Sequence, residues 1–166
     1  MQGKYRLVAV TAAGALALAG AALGATKGVF VGTAGPDAIN GTASADIIYG
    51  KGGDDSLHGL GGSDVVYGGQ GNDTIKGGDG NDVEYGGPGN DSMWGGRGAD
   101  TLYGGPGNDV LHALADDNQL DVVDCGAGHD SVWLNANEKG RYVIRGCEVR
   151  NWIVPSPDQI AEDTGN

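Results

Sequence analysis

The chain has 166 residues and a formal net charge of −12, with 39% hydrophobic residues, a single Phe and 34 glycines. Glycine loses more backbone freedom on folding than any other residue, and this composition has little apolar surface to offset the loss, so a conventional packed core is excluded as the sole source of stability. The acids concentrate in the glycine-rich middle of the chain, which argues against nucleic-acid binding through phosphate contacts and makes cations the expected partners.

At the N-terminus Lys4 and Arg6 precede an uncharged run from Leu7 to Leu23, rich in Ala and Leu and followed by the small residues Gly24 and Ala25. This is the anatomy of a secretory signal peptide over residues 1–25. A membrane span needs about 20 strongly apolar residues, and this run is short and diluted by Gly, Ala and Thr. The expected product is extracellular, with no membrane span in the mature chain. Loss of Lys4 and Arg6, with no acid removed, takes the charge from −12 to −14.

From Gly32 to His112 the sequence divides without a gap into nine blocks of nine, beginning GTAGPDAIN and GTASADIIY, passing through GGQGNDTIK and ending GGPGNDVLH. Every block opens with glycine and carries Asp at its sixth place: Asp37, Asp46, Asp55, Asp64, Asp73, Asp82, Asp91, Asp100 and Asp109. The eighth place is apolar in Ile39, Ile48, Leu57, Val66, Ile75, Met93, Leu102 and Leu111, with Glu84 the exception. A disordered acidic linker has such a composition but not such a phase, and strict phase is the mark of a repeat architecture.

Six glycine- and Asx-rich residues suit a turn, and three residues around one apolar centre suit a very short strand. One block cannot bury its apolar residue alone. Two back to back make an 18-residue coil, with odd blocks stacked in one parallel sheet, even blocks in another, and the eighth-place side chains between them. The ninth place supports this phase, because Tyr49, Tyr67, Tyr85 and Tyr103 recur every 18 residues in the even blocks alone.

Stacking at the usual strand spacing of about 4.8 Å lines the sixth-place aspartates up in two columns. At an effective dielectric near 20, adjacent carboxylates at that spacing repel by roughly 3 kcal/mol, and a cation between them reverses the sign. Glycines let main-chain carbonyls converge beside them. A flexible site made only of oxygens suits calcium, which takes six to eight oxygen ligands, better than magnesium, which holds a small octahedron and retains water. No twelve-residue loop ending in glutamate is present, so an EF-hand is rejected.

These blocks closely resemble the GGxGxDxUx nonapeptides of the hemolysin-type, or RTX, calcium-binding family. GGQGNDTIK and GGPGNDVLH match that pattern at every defined place. The resemblance implies an all-β, right-handed parallel β-roll of about nine half-coils, with several calcium ions held between stacked turns by the sixth-place Asp side chains and turn carbonyls. Blocks one to four depart from it with Thr33, Thr42, Lys51 or Leu60 at the second place. Weaker sites are expected there, and blocks five to nine, which keep every glycine, are expected to fill first. Glu84 would point inward, and it is read as a local defect or sequence drift in preference to a special metal role, because its place belongs to the core, away from the turns.

Beyond His112 the phase is lost, and CGAGHDSVW (Cys125 to Trp133) recovers a degenerate block in which Asp130 is one more candidate ligand. Short strands are predicted around 132–134, 142–144 and 149–154. They would cap the last coil over residues 113–154, with Trp133, Trp152 and Ile153 as cover and residues 155–166 as a disordered tail. Cys125 and Cys147 are the only cysteines, and in an exported chain they are expected to form a disulfide that staples the cap.

No catalytic site is expected, since His58, His112 and His129 fall on repeat or repeat-like places and the glycines recur every nine residues rather than forming a phosphate loop. The functional reading is a secreted, non-catalytic calcium-binding module that folds as its sites fill. The alternative is an extracellular glycan- or cell-surface-binding protein that uses the tyrosine face.

Overall fold

The structure is a computed structural model that describes residues 6–9, 27–115, 117–156 and 159. Most of the expected signal peptide and of the C-terminal tail lies outside the described residues.

The strands are short and follow one another at half-coil intervals. They are β1 (Arg6–Ala9), β2 (Gly28–Val31), β3 (Ala38–Asn40), β4 (Ile47–Gly52), β5 (Ser56–Gly61), β6 (Val65–Gln70), β7 (Thr74–Asp79) and β8 (Val83–Tyr85). There follow β9 (Ser92–Arg97), β10 (Thr101–Pro106), β11 (Val110–Ala113), β12 (Asp121–Ala127), β13 (Ser131–Asn135), β14 (Tyr142–Arg145) and β15 (Val149–Ile153), with a 3-10 turn, Ala136–Glu138, between β13 and β14. Even-numbered strands and β1 form one sheet in the order β1-β2-β4-β6-β8-β10-β12-β14, and the other odd strands form a second in the order β15-β13-β11-β9-β7-β5-β3. All pairings are parallel, and within the nine blocks partners are 18 residues apart, as Leu57 with Ile75 and Ile75 with Met93. The architecture is the expected two-sheet parallel roll, with about seven turns in all.

Between the sheets lies a single file of eighth-place side chains. Ile48, Leu57, Val66, Ile75, Met93, Leu102 and Leu111 are fully buried, and Val123 and Val132 continue the file. Each fully buried aliphatic side chain contributes about 1.5–3 kcal/mol, which for so narrow a core leaves much of the fold's stability to the turns.

Three details differ from the sequence expectation. Six strands run to six residues rather than three, continuing into the first three places of the next block. A turn stacked on a like turn pairs its backbone just as a strand does, as Gly53 N to Gln70 O at 2.8 Å and Gly62 N to Asp79 O at 2.8 Å show. A strand precedes the first block: in β2, Phe30 stands beside Ile48 and enters the core without any glycine–aspartate turn before it. After β11 the file is displaced by three residues, Ala113–Ala115, all buried, and the partner spacing lengthens from 18 to 21.

At the C-terminal end Cys125 and Cys147 form the expected disulfide, with Cα atoms 5.2 Å apart. Closing a loop of this length stabilises by about 3 kcal/mol in the chain-entropy account. The Tyr142 hydroxyl donates to Ala113 O at 3.0 Å, and Asn135 Nδ2 donates to Leu114 O and Ala115 O, so the three-residue step is tied to the cap. Trp152 pairs in register with buried Leu134 and meets Tyr142 edge-on at 5.8 Å. Trp133 does not cover the end of the core. It stands at a ninth place, which faces outward, and stacks on His112.

Candidate metal centre

The sixth-place aspartates form the two expected columns, and from Asp46 onward each side chain links two coils. The backbone N–H of Asp37 donates to Asp55 Oδ1 at 2.8 Å, Asp55 to Asp73, Asp73 to Asp91, Asp91 to Asp109 and Asp109 to Asp130. In the other column Asp46 donates to Asp64, Asp64 to Asp82, Asp82 to Asp100 and Asp100 to Asp121. The structure therefore brings all ten sequence-predicted residues into these columns.

It adds two that the sequence reading missed. Asp121 extends the second column and Glu148 accepts from Asp130 N–H at 2.8 Å to end the first. Asp121 was hidden by the three-residue step, since restarting the count at Asp116 puts it at a sixth place and Val123 at an eighth. Glu148 offered no block at all.

One oxygen of each aspartate is thus used by the protein. The other divides the turns into two kinds. In blocks one and two Thr33 and Thr42 donate both backbone N–H and hydroxyl to Oδ2 of Asp37 and Asp46, at 2.6–2.9 Å. In Asp55, Asp64, Asp73, Asp82, Asp91, Asp109 and Asp130 the Oδ2 atom is buried and has no hydrogen-bond partner. Leaving a buried carboxylate oxygen without a partner costs about 1–3 kcal/mol or more, so a row of seven calls for a cation.

The backbone around these oxygens explains the glycines. At the fourth place Gly71 has φ +127°, and a Cβ there would run into the Gly53 carbonyl of the coil below. The second place is also left-handed, and in blocks three and four Lys51 (φ 84°) and Leu60 (φ 79°) adopt it without being glycine. These two blocks therefore have the open turn geometry of blocks five to nine. Blocks one and two do not, for neither Thr33 nor Thr42 has a positive φ.

At the first place the missing side chain makes room for oxygens. A methyl group on Gly50 would strike Asp55 Oδ2 and lie 2.5 Å from the carbonyl oxygen of Gly68, one coil on. Carboxylate and carbonyl oxygens of successive coils thus flank one glycine, and the arrangement recurs at Gly59, Gly68 and Gly86. Among the described residues no three His, Cys, Asp or Glu side chains converge to hold a metal by themselves. A site here draws on main-chain carbonyls as well, which fits a hard cation of high coordination number and not zinc.

Electrostatics agree. Burial above all, with help from neighbouring carboxylates, pushes Asp55, Asp82 and Asp109 up to about 6 and Asp64, Asp91 and Asp121 up to about 7, against the lowering effect of the backbone N–H each accepts. Without a cation these groups hold their protons to a much higher pH than ordinary aspartates do.

His112 lies between Trp94 and Trp133, with ring centroids 4.6 and 6.2 Å away, and burial pushes it down to about 4. Glu84 faces inward and is fully buried as expected, but its carboxylate reaches the turn at Gly77, so it is not remote from the columns.

Stacked parallel coils with oxygen-lined turns define the class of calcium-binding β-rolls. The sequence matches the family described as RTX calcium-binding nonapeptide repeat (4 copies) over residues 28–57, 49–84 and 85–120, more than half of the chain. The protein belongs to that family, and its cofactor is calcium. No curated protein and no solved structure matches it.

Proposed function

We propose that the protein is an exported, non-catalytic module that orders its repeats on binding several calcium ions. The observation that carries this reading is the set of seven buried aspartate oxygens without hydrogen-bond partners, those of Asp55, Asp64, Asp73, Asp82, Asp91, Asp109 and Asp130. The ligands are Asp55, Asp64, Asp73, Asp82, Asp91, Asp100, Asp109 and Asp130 with turn carbonyls, whereas Asp37 and Asp46 act chiefly as acceptors for their own turns. Because the sites exist only between stacked coils, binding free energy is folding free energy. Extracellular calcium modules work at dissociation constants of about 10⁻⁴ to 10⁻³ M, which keeps such a chain loose where calcium is scarce.

Export is supported by the N-terminal charge and apolar pattern and by the Cys125–Cys147 disulfide, a bond that persists in oxidising compartments. No helix among the described residues is long and apolar enough to cross a membrane.

The test is far-UV circular dichroism of residues 25–166, titrated with calcium from a chelated start and with magnesium as control. A cooperative gain of β signal with calcium alone is the expected result. An unchanged spectrum with both ions would end the reading.

A second reading rests on the tyrosine ladder. Tyr49, Tyr67, Tyr85 and Tyr103 stack at 4.9 Å and each leaves 36–37% of its surface exposed, a row that a glycan could lie against. Replacing both Tyr85 and Tyr103 by Ala separates the roles: glycan retention lost with folding intact favours a binding face, and the reverse favours cross-strand stacking.

A further inference from the structure

One coil breaks the rule that the eighth place is apolar. Glu84 in β8 pairs in register with Val66 and Leu102, and its side chain is fully buried. It does not lie centrally in the file. A methyl group placed on Gly77 would lie 2.5 Å from Asp82 Oδ2, 2.6 Å from Glu84 Oε1, and closer still to the carbonyl oxygen of Gly95. The two carboxylate oxygens are therefore within about 5 Å of each other, a span that a calcium ion bridges with its usual contacts of 2.3–2.6 Å. At no other first-place glycine of the nine blocks is a second carboxylate among the three nearest atoms. Independently, Asp82 Oδ2 is buried, has no hydrogen-bond partner, and belongs to a residue only 1% exposed.

We propose that the turn at Gly77 holds its cation with two carboxylates, Asp82 and Glu84, and is the tightest site of the roll for calcium and for trivalent lanthanides. The inference rests on the calcium reading above and deepens it. Affinity in oxygen-only sites follows the count of ligand charges and the rigidity of the cage. Glu84 raises the first and, clamped between Val66 and Leu102, supplies the second. Its flanks are apolar, where ionisation is costly, and a bound cation offsets that cost. Where no cation has to be reached from the eighth place, the other blocks fill it with Ile, Leu, Val or Met.

The test compares the full chain with Glu84→Gln and Glu84→Leu, by calorimetric calcium titration and by terbium luminescence. In the unchanged chain one site should bind at least tenfold more tightly than the rest. Both variants should lose that site and keep the others, and terbium lifetimes in H₂O and D₂O should show added bound water where the carboxylate was. Glu84→Leu restores the side chain of neighbouring blocks, so calcium-saturated circular dichroism should remain that of the roll. Unchanged tight binding in both variants overturns the role of Glu84 while leaving calcium binding intact. Failure of the unchanged chain to bind calcium overturns both readings.

Discussion

The first two turns of the roll and the later ones solve the same problem in different ways. In the turns at Gly32 and Gly41 a threonine satisfies the aspartate from within, through N–H and hydroxyl together. In the turns from Gly50 onward the second place is left-handed and the threonine is gone, and in Asp55, Asp64, Asp73, Asp82, Asp91 and Asp109 the same aspartate oxygen is left buried without a partner. One residue at the second place thus decides whether the turn completes itself or depends on a cation. A repeat protein needs an end that stands by itself, and the self-completed turns lie at the start of the repeats.

The comparison can be broken most sharply at the fourth place. Gly71→Ala forces a Cβ into a left-handed turn against the Gly53 carbonyl and should cost more than about 2 kcal/mol, whereas Gly35, with an ordinary φ and open space around it, should accept Ala with a gain of up to about 0.5 kcal/mol. Denaturant midpoints in saturating calcium measure both. Equal losses would mean that the two kinds of turn are not distinct.

The next effect concerns calcium itself. Asp91→Asn removes half of a cation's counter-charge but keeps an acceptor for Asp73 N–H, and should raise the calcium concentration at half-folding several-fold. Asp37→Asn, in a turn closed by Thr33, should move it less than twofold. Two calcium titrations followed by circular dichroism decide this.

Acidity should act on the open turns in two opposite ways. Asp55, Asp64, Asp82 and Asp91 have folded-state values of about 6 to 7 in the metal-free roll, against about 3.9 in an unfolded chain. The folded form therefore binds more protons between about pH 4 and 7, and metal-free stability falls as pH rises through that window. Lowering the pH from 7.5 to 5 in chelator should strengthen the β signal. With calcium present the same change should weaken apparent affinity, because protons compete for the oxygens.

The smallest effect is expected from Lys51→Gly. Lys51 holds φ at 84°, which costs an L-residue about 1–2 kcal/mol, partly offset by glycine's greater freedom when unfolded. A gain below about 1 kcal/mol in the calcium-saturated midpoint would fit. A loss would show that the lysine side chain contributes something its backbone conceals.

Much of this was legible in the sequence. Strict phase placed Asp37 to Asp109 in two columns and the eighth-place residues in one core, because a repeat stacked on itself turns spacing into geometry. What escaped lacked a local signal. Phe30 enters the core through a strand with no turn motif, and Asp121 follows a step of three residues that reset the count. The difference between Asp37 and Asp55 lay in a threonine that reads as a mere departure from glycine until its hydroxyl is seen on the carboxylate. Glu84 read as a defect because periodicity specifies the direction of a side chain and not its reach.

The tyrosine rungs, 4.9 Å apart, also set a length scale. One coil adds that distance to the axis, yet its 18 residues, once released, extend to about 60 Å. Each coil that lets go lengthens the molecule roughly twelvefold over that stretch, so a pulling force and calcium act as antagonists on one coordinate. Anchored at both ends, the roll would behave as a spring whose slack is set by the ion concentration around it.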